Sequence, residues 1–215
     1  MDTKHAILED ILSRAPVVPV LVVDDVDQAV ALATALVTGG LPAIEVTLRT
    51  QAALDAVRAI GESVEGAIVG AGTVRNAAQL EACERAGARF AVSPGSTPAL
   101  LDAAGGSAIP LLPGASSASE AMALADRGYA LQKFFPAGPA GGAAFLKALE
   151  SPLPDIRFCP TGGVDADNAG TYLALSNVIC VGGSWVAPKS SVASGDWTHV
   201  TALARKAAGL GRDGT

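Results

Sequence analysis

Two charged residues stand inside otherwise apolar runs: Glu45 in Ala43-Ile-Glu-Val-Thr-Leu48 and Lys133 in Ala130-Leu-Gln-Lys-Phe-Phe135. Continuous apolar runs of this length read as strands covered on both faces. An ion moved into such surroundings loses several kcal/mol of solvation even after relaxation. One reading is a buried ion pair that only maintains the fold. Buried pairs are poor stabilisers compared with hydrophobic replacements, however, so stability gives no reason to keep them. The other reading is functional, since perturbed titratable groups cluster at sites. The chemistry that needs both groups is imine formation. A lysine attacks a ketone only as the neutral amine, and an apolar environment disfavours the ammonium. A nearby carboxylate acts the other way, so its use is proton transfer. Forming a carbinolamine, losing water, breaking a carbon–carbon bond and hydrolysing the imine each move a proton.

Further polar and flexible residues follow the apolar runs. Thr47 and Arg49 come after Glu45, and Gly70-Ala-Gly-Thr73, Ser93-Pro-Gly95, Pro113-Gly114, Pro136, Pro160-Thr-Gly-Gly163 and Gly182-Gly-Ser184 end later runs. An arginine on a loop is commonly a solvated charge, but Arg49 is placed to fork onto a carboxylate. Thr73 and Thr161 read equally well as caps of the following segments. Phe134 and Phe135 face opposite sides of a strand, and alternation puts Phe135 on the face of Lys133, where it would keep an amine dry. Each Gly-Gly pair alone is a tight turn. Two pairs, after the last two runs, let backbone N–H groups approach a phosphate. Metal chemistry is not expected: the two histidines, His5 and His199, read as surface residues of the first and last helices. No phosphate-binding P-loop, dinucleotide fingerprint or Ser–His–Asp arrangement is present, so no cofactor is expected.

The elements that must position these residues alternate. A short amphipathic N-terminal helix carries Ile7, Leu8, Ile11 and Leu12. Eight apolar runs follow: Val17–Val23, Ala43–Leu48, Ala67–Gly70, Phe90–Val92, Ile109–Leu112, Ala130–Phe135, Arg157–Cys159 and Val178–Val181. Helical patterns are expected at Asp27–Val37, Ala52–Ile60, Asn76–Ala86, Ser119–Arg127, Gly142–Leu149, Asp167–Leu175 and Trp197–Ala208. Strand starts recur roughly every 20–27 residues, the spacing of a strand plus a crossover helix. Eight such units predict one (β/α)8 TIM barrel over residues 1–215, with a doubly wound open sheet as the alternative. Glu45 and Lys133 then lie on the second and sixth predicted strands, where inward-pointing residues of even-numbered strands share a layer.

Composition bounds the partners. Of 215 residues, 50% are apolar and 17% charged, with 24 Gly and 13 Pro, which is a globular chain rather than a disordered one. The balance of 15 basic and 21 acidic residues gives a net charge of −6, which argues against nucleic acid as a partner. The longest apolar stretch, Ala15–Val23, is far short of the ~20 residues of a membrane span. Asp2, Lys4, Glu9, Asp10 and Arg14 interrupt any secretory leader. Cys83, Cys159 and Cys180 are odd in number and lack a C-x-x-C pair, so they read as small buried hydrophobes in a reducing cytoplasm.

Seven segments in order carry a family resemblance: Pro16-Val-Val-Pro-Val20, Glu45-Val-Thr-Leu-Arg-Thr50, Val69-Gly-Ala-Gly-Thr73, Ser93-Pro-Gly95, Lys133-Phe-Phe-Pro-Ala137, Phe158-Cys-Pro-Thr-Gly-Gly163 and Gly182-Gly-Ser-Trp185. Over nearly its whole length the chain resembles the bacterial 2-keto-3-deoxy-6-phosphogluconate (KDPG) and 4-hydroxy-2-oxoglutarate (KHG) aldolases. The resemblance implies a homotrimer of (β/α)8 barrels and a metal-free class I mechanism without a cofactor. It implies Lys133 as Schiff-base lysine and Glu45 as general acid/base. Arg49 and Thr73 would hold the carboxylate of the pyruvoyl part. Pro94, Phe135 and Thr161 would line the pocket around the imine, and Gly162, Gly163, Gly183 and Ser184 would receive the distal phosphate. Gln132 stands where the family often has an aromatic, and Gly138 where it often has Glu. The implied substrate is a phosphorylated 2-keto-3-deoxy sugar acid, cleaved to pyruvate and glyceraldehyde 3-phosphate. The phosphogalactonate-derived acid, an epimerase or isomerase barrel, and a non-catalytic phosphosugar-binding barrel are the alternatives.

Overall fold

The computed structural model of the chain describes residues 3–211. Asp2 and the last four residues of the predicted domain lie outside them. From the N-terminus the elements are α1 (Thr3–Ser13), β1 (Val17–Leu21), α2 (Val26–Thr38), β2 (Ala43–Thr47), α3 (Ala53–Ser63), β3 (Ile68–Gly72), α4 (Ala77–Arg85), β4 (Ala91–Val92) and α5 (Pro98–Gly106). The second half contains β5 (Leu111–Leu112), β6 (Gly114–Ala115), α6 (Ala118–Ala125), β7 (Leu131–Phe134), α7 (Gly142–Leu149), β8 (Arg157–Pro160), α8 (Ala169–Leu173), β9 (Val181–Gly183), α9 (Lys189–Ser194) and α10 (Trp197–Ala208).

Local chemistry explains most boundaries. Asp25, Asn76, Thr97, Ser117 and Asp196 each accept a hydrogen bond from the backbone N–H three residues on, which satisfies a free donor of the first helical turn. Glu120 reaches back to Ser116 and Ser117, and these bonds, led by the Ser116 N–H, hold its carboxyl below the usual range. Two helices were not expected from sequence. In α5, the Ser-Pro-Gly, Thr-Pro and Gly-Gly signals mimic a loop, yet Thr97 caps it and Pro98 occupies the first turn, where a missing N–H is harmless. The six-residue α9 follows Pro188 and ends at Gly195 with φ 70°. The fifth predicted strand is also different. Of Ile109–Leu112 only Leu111–Leu112 forms a strand, β5, and beyond Pro113, which has no N–H to donate but whose carbonyl accepts from Lys133 N at 2.8 Å, comes the unexpected β6. The lysine therefore sits on β7.

All ladders are parallel. One sheet runs β5-β4-β3-β2-β1-β9 and another β6-β7-β8. Isolated parallel bridges join Phe158 to Val178 and Thr161 to Gly182. The architecture is α/β, a curled parallel sheet wrapped by helices. Period-two alternation divides its side chains between two cores. Val17, Leu21, Ile44, Val46, Phe134 and Phe158 pack outward against the helices. Val18, Ala43, Leu131, Cys159 and Cys180 pack inward with Phe90, Val92 and Leu112. Leu8, Ile11 and Leu12 of α1 belong to this inner cluster, so the N-terminal helix caps its floor. Polar contacts fasten α1: Lys4 Nζ donates to the carbonyls of Ala104 and Gly105 at 2.9 Å, and Arg157 pairs with Glu9. His5 of α1 is half-buried beside Glu9 at 3.5 Å, whereas His199 on α10 is exposed.

The Arg157 hydrogen bond holds the Glu9 carboxyl below its usual range. A lowered folded-state value means that the pair stabilises above the unfolded carboxylate range and is lost as pH falls through the folded value. Both side chains are about a third exposed (37% and 32%), so solvent screens the gain. Glu9→Gln is expected to lower neutral-pH stability by no more than about 1 kcal/mol. Urea unfolding at descending pH should show the gap to the unmutated protein closing in acid.

Candidate active site

Alternation along β2 points Ala43, Glu45 and Thr47 inward, and along β7 it points Leu131 and Lys133 inward, with Phe135 continuing the row. Across that interior, Lys133 Nζ donates to Glu45 Oε1 at 3.2 Å and to Oε2 at 3.4 Å. The two side chains are 5% and 4% exposed. They are 88 positions apart in sequence, and the fold brings them into contact. Nζ lies 5.4 Å from the centre of the Phe135 ring, within reach of a cation–π contact. Gln132 faces the opposite side, as alternation requires, and its amide donates to the carbonyls of Ala121 and Tyr129 at 2.9 Å.

The pair's neighbours in register are mostly small residues. Glu45 is flanked in register by Val20 and Gly70, and Lys133 by Gly114 and Cys159. Gly70 accommodates the ring of Phe90, and Gly114 lies against the backbone of Pro94 and Gly95. Pro94 thus reaches the lysine's neighbouring strand but does not line the cavity described below. Thr47 is fully buried and its hydroxyl donates to Leu21 O at 2.8 Å, tying β2 to β1 beside the carboxylate.

Thr73 adopts φ 59°, and no other non-glycine among the described residues has positive φ. For a β-branched residue this backbone is a true outlier, and such strain gathers at working sites. It is held by Val74 N donating to Val92 O at 3.1 Å and by Arg49 Nε donating to Thr73 Oγ1 at 3.3 Å. Thr73 is not a helix cap, since Asn76 caps α4. Thr161 is not one either. It is buried, its hydroxyl lies 3.5 Å from Cys159 O, and Gly182 makes way for it.

A cavity of about 910 Å³ opens at the carboxyl ends of the strands. Arg49, Phe135, Thr161, Gly162, Gly163, Gly183 and Ser184 all line it. Gly162 and Gly163 have φ 90° and 79°, which turns the chain sharply after β8. The loop after β7 hydrogen-bonds to this turn, Ala137 N to Thr161 O and Gly138 N to Gly162 O, both at 2.8 Å. A side chain at 138 would touch Gly163. The sequence reading missed other walls. Asp24 and Asp25, directly after the first strand, and Trp185, beside Ser184, carried a positional signal. Lys189 carried none.

Chemically, this is an amine and a carboxylate in direct proton-transfer reach, shielded by apolar floor residues, with an arginine and glycine-rich backbone at the rim. All three cysteines are free and buried; burial pushes the Cys83 thiol up to about 11, and a hydrogen bond with Cys159, then burial, raises Cys180. Such thiols are inert. Among the described residues, no three His, Cys, Asp or Glu side chains gather into a metal cluster.

Comparison with known proteins gives consistent matches. The family model for KDPG and KHG aldolase matches residues 8–203. The 2-dehydro-3-deoxy-phosphogluconate aldolase of Pseudoalteromonas atlantica is 55% identical over 199 residues, 93% of each chain. A crystal structure of KDPG aldolase from Legionella pneumophila, with pyruvate captured at low pH as a covalent carbinolamine intermediate, is 42% identical at a TM-score of 0.91, covering 93% of this chain and 97% of that one. The 2-keto-3-deoxy-6-phosphogluconate aldolase of Zymomonas mobilis ZM4, solved with 3-phosphoglycerate, is 43% identical at a TM-score of 0.91 over 97% of each.

The burial of the pair predicts a stability pattern. Glu45→Leu alone leaves an unpaired buried ammonium and is expected to lose about 3–5 kcal/mol. Adding Lys133→Met should restore stability to that of the unmutated protein or above it. Urea unfolding of both variants checks this; a double variant as unstable as the single one would make the pair a structural tie.

Proposed function

The chain belongs to the KDPG and KHG aldolase family, and from that premise we propose that it cleaves 2-keto-3-deoxy-6-phosphogluconate to pyruvate and glyceraldehyde 3-phosphate through an imine on Lys133. The buried contact of 3.2 Å between Lys133 and Glu45 carries this reading. Lys133 first passes a proton to Glu45 across their contact, and the neutral amine then attacks the C2 ketone and forms a carbinolamine. Glu45 delivers the proton with which water departs, leaving the iminium. It then accepts the C4 hydroxyl proton. The C3–C4 bond breaks, its electrons enter the iminium as an enamine, and glyceraldehyde 3-phosphate leaves. Protonation at C3 and hydrolysis release pyruvate and regenerate the amine. The step requires no metal or cofactor, because the iminium is the electron sink.

The rim suits the two anionic ends of this substrate. Arg49 and Thr73, joined at 3.3 Å, take the carboxylate of the pyruvoyl part. Pro94, Phe135 and Thr161 surround the imine. Gly162, Gly163, Gly183 and Ser184, which line the cavity, offer backbone N–H groups and a hydroxyl to the phosphate. KHG, which shares the pyruvoyl end, is proposed as a second substrate. Gly138, packed on Gly163, is placed to tune the distal end, while Gln132 faces the helices and leaves selectivity alone.

The finer architecture is part of the proposal. We read residues 1–215 as one domain whose strands close into a (β/α)8 barrel, with β5 and β6 as halves of one strand. The β4–β5, β6–β7 and β7–β8 ladders, the bridges Phe158–Val178 and Thr161–Gly182 between the β8 and β9 segments, and the β9–β1 ladder support closure. A homotrimer is proposed from the family pattern, and a cytoplasmic setting from three unpaired thiols.

With EDTA present, purified protein and 2-keto-3-deoxy-6-phosphogluconate should release pyruvate, read through lactate dehydrogenase. Borohydride with pyruvate should leave a reduced adduct on Lys133 in mass spectrometry. Lys133→Ala should abolish both, and Glu45→Gln should lower turnover at least ~100-fold. An adduct on another residue, or turnover surviving Lys133→Ala, would overturn the imine mechanism.

A further inference from the structure

We infer that Gly72 is a positioning residue for Glu45, an inference that rests on the role proposed for that carboxylate. Gly72 ends β3 and pairs in register with Thr47, one inward position above Glu45. The glutamate side chain therefore rises along β3 and lies on the Cα of Gly72. A Cβ built there would stand 2.5 Å from Glu45 Cγ and 2.6 Å from Cδ, and closer still to Oε1. Real Cβ atoms do not approach that near. Oε1 is also the oxygen that accepts from Lys133 Nζ at 3.2 Å. The carboxylate lies between a bare backbone on one side and the amine on the other.

Conformational freedom is not what Gly72 supplies. Its φ lies outside the left-handed region, so an alanine backbone fits the same path. What the position needs is the absence of a side chain. Gly70, two residues earlier, needs the same absence for a different neighbour, the ring of Phe90. The two glycines thus separate cleanly: one makes room for core packing and the other for the proton-transferring group. Misplacement of such a group by about 1 Å can cost ~100-fold in rate.

Gly72→Ala is expected to lower kcat for pyruvate release ~10–100-fold, since displacement of the carboxylate takes it out of proton-transfer reach. The discriminating measurement is a double-mutant cycle. Glu45→Asp withdraws one methylene from the crowded space, so Gly72→Ala with Glu45→Asp should lose less activity than the product of the single losses. Stability gives an independent readout, useful if Gly72→Ala folds poorly. In a Glu45→Ala background, Gly72→Ala should leave the urea midpoint unchanged, whereas Gly70→Ala should lower it in both backgrounds. Multiplying activity losses, or equal destabilisation by Gly72→Ala with and without the Glu45 side chain, would overturn the inference. The stability cycle stands even if the unmutated protein releases no pyruvate, an outcome that would instead sink the aldolase reading.

Discussion

An ammonium and a carboxylate sit together in the middle of an apolar parallel sheet, and the rest of the molecule is arranged around that constraint. Either charge alone is costly in such a place, because the solvation lost by each is offset only through the other. The fold supplies the conditions. Below the pair, Leu8, Ile11 and Leu12 of α1 complete a dry floor with Ala43, Leu131 and Cys159. Outside it, the helices cover the opposite faces of the same strands. At the carboxyl ends of the strands a cavity opens, with Phe135, the neighbour of the amine, in its wall.

Space is the second constraint. A parallel sheet curled this tightly has little interior volume, and two long charged side chains take much of it. Glycines at 70, 72 and 114 leave gaps that Phe90, Glu45 and the Pro94 backbone fill. Each is a place where the chain gives up a side chain so that another can stand where chemistry or packing needs it. The rim spends its conformational strain differently. Thr73 is held in a left-handed conformation that its branched side chain disfavours, and the contact with Arg49 is the direct product of that geometry. The reaction proposed for this protein asks for an amine and an acid held together, and the interior provides that contact.

Much of this was legible in the residues. The order of strands and helices followed from apolar runs and helix stops, and two helices, Gly142–Leu149 and Trp197–Ala208, have the expected limits. Two others were invisible for a physical reason: α5 is announced by Thr-Pro and closed by Gly-Gly-Ser, the same residues that make loops, and α9 is too short for a periodic pattern. Beyond Pro113 the short strand β6 was not expected. In the site, Glu45 and Lys133 stood out because a charge in an apolar run is expensive. Thr73 and Thr161 did not separate from helix caps, since a threonine after a strand looks the same in either role. Asp24 and Asp25 were marked only by following the first strand, and Lys189 lines the cavity without any sequence pattern that distinguishes it from a surface charge.

What the sequence by itself determined is the local and periodic part: which segments are strands, which face of each strand carries Glu45, Lys133 and Phe135, and which turns are built of glycine. Those follow from side-chain alternation and backbone sterics, which act over a few residues. The tertiary structure alone decided distances between parts of the chain far apart in sequence. It set Lys133 Nζ 3.2 Å from Glu45, laid the carboxylate on Gly72, and twisted Thr73 toward Arg49. Such contacts depend on the curl and register of the whole sheet, and no short stretch of residues carries that information.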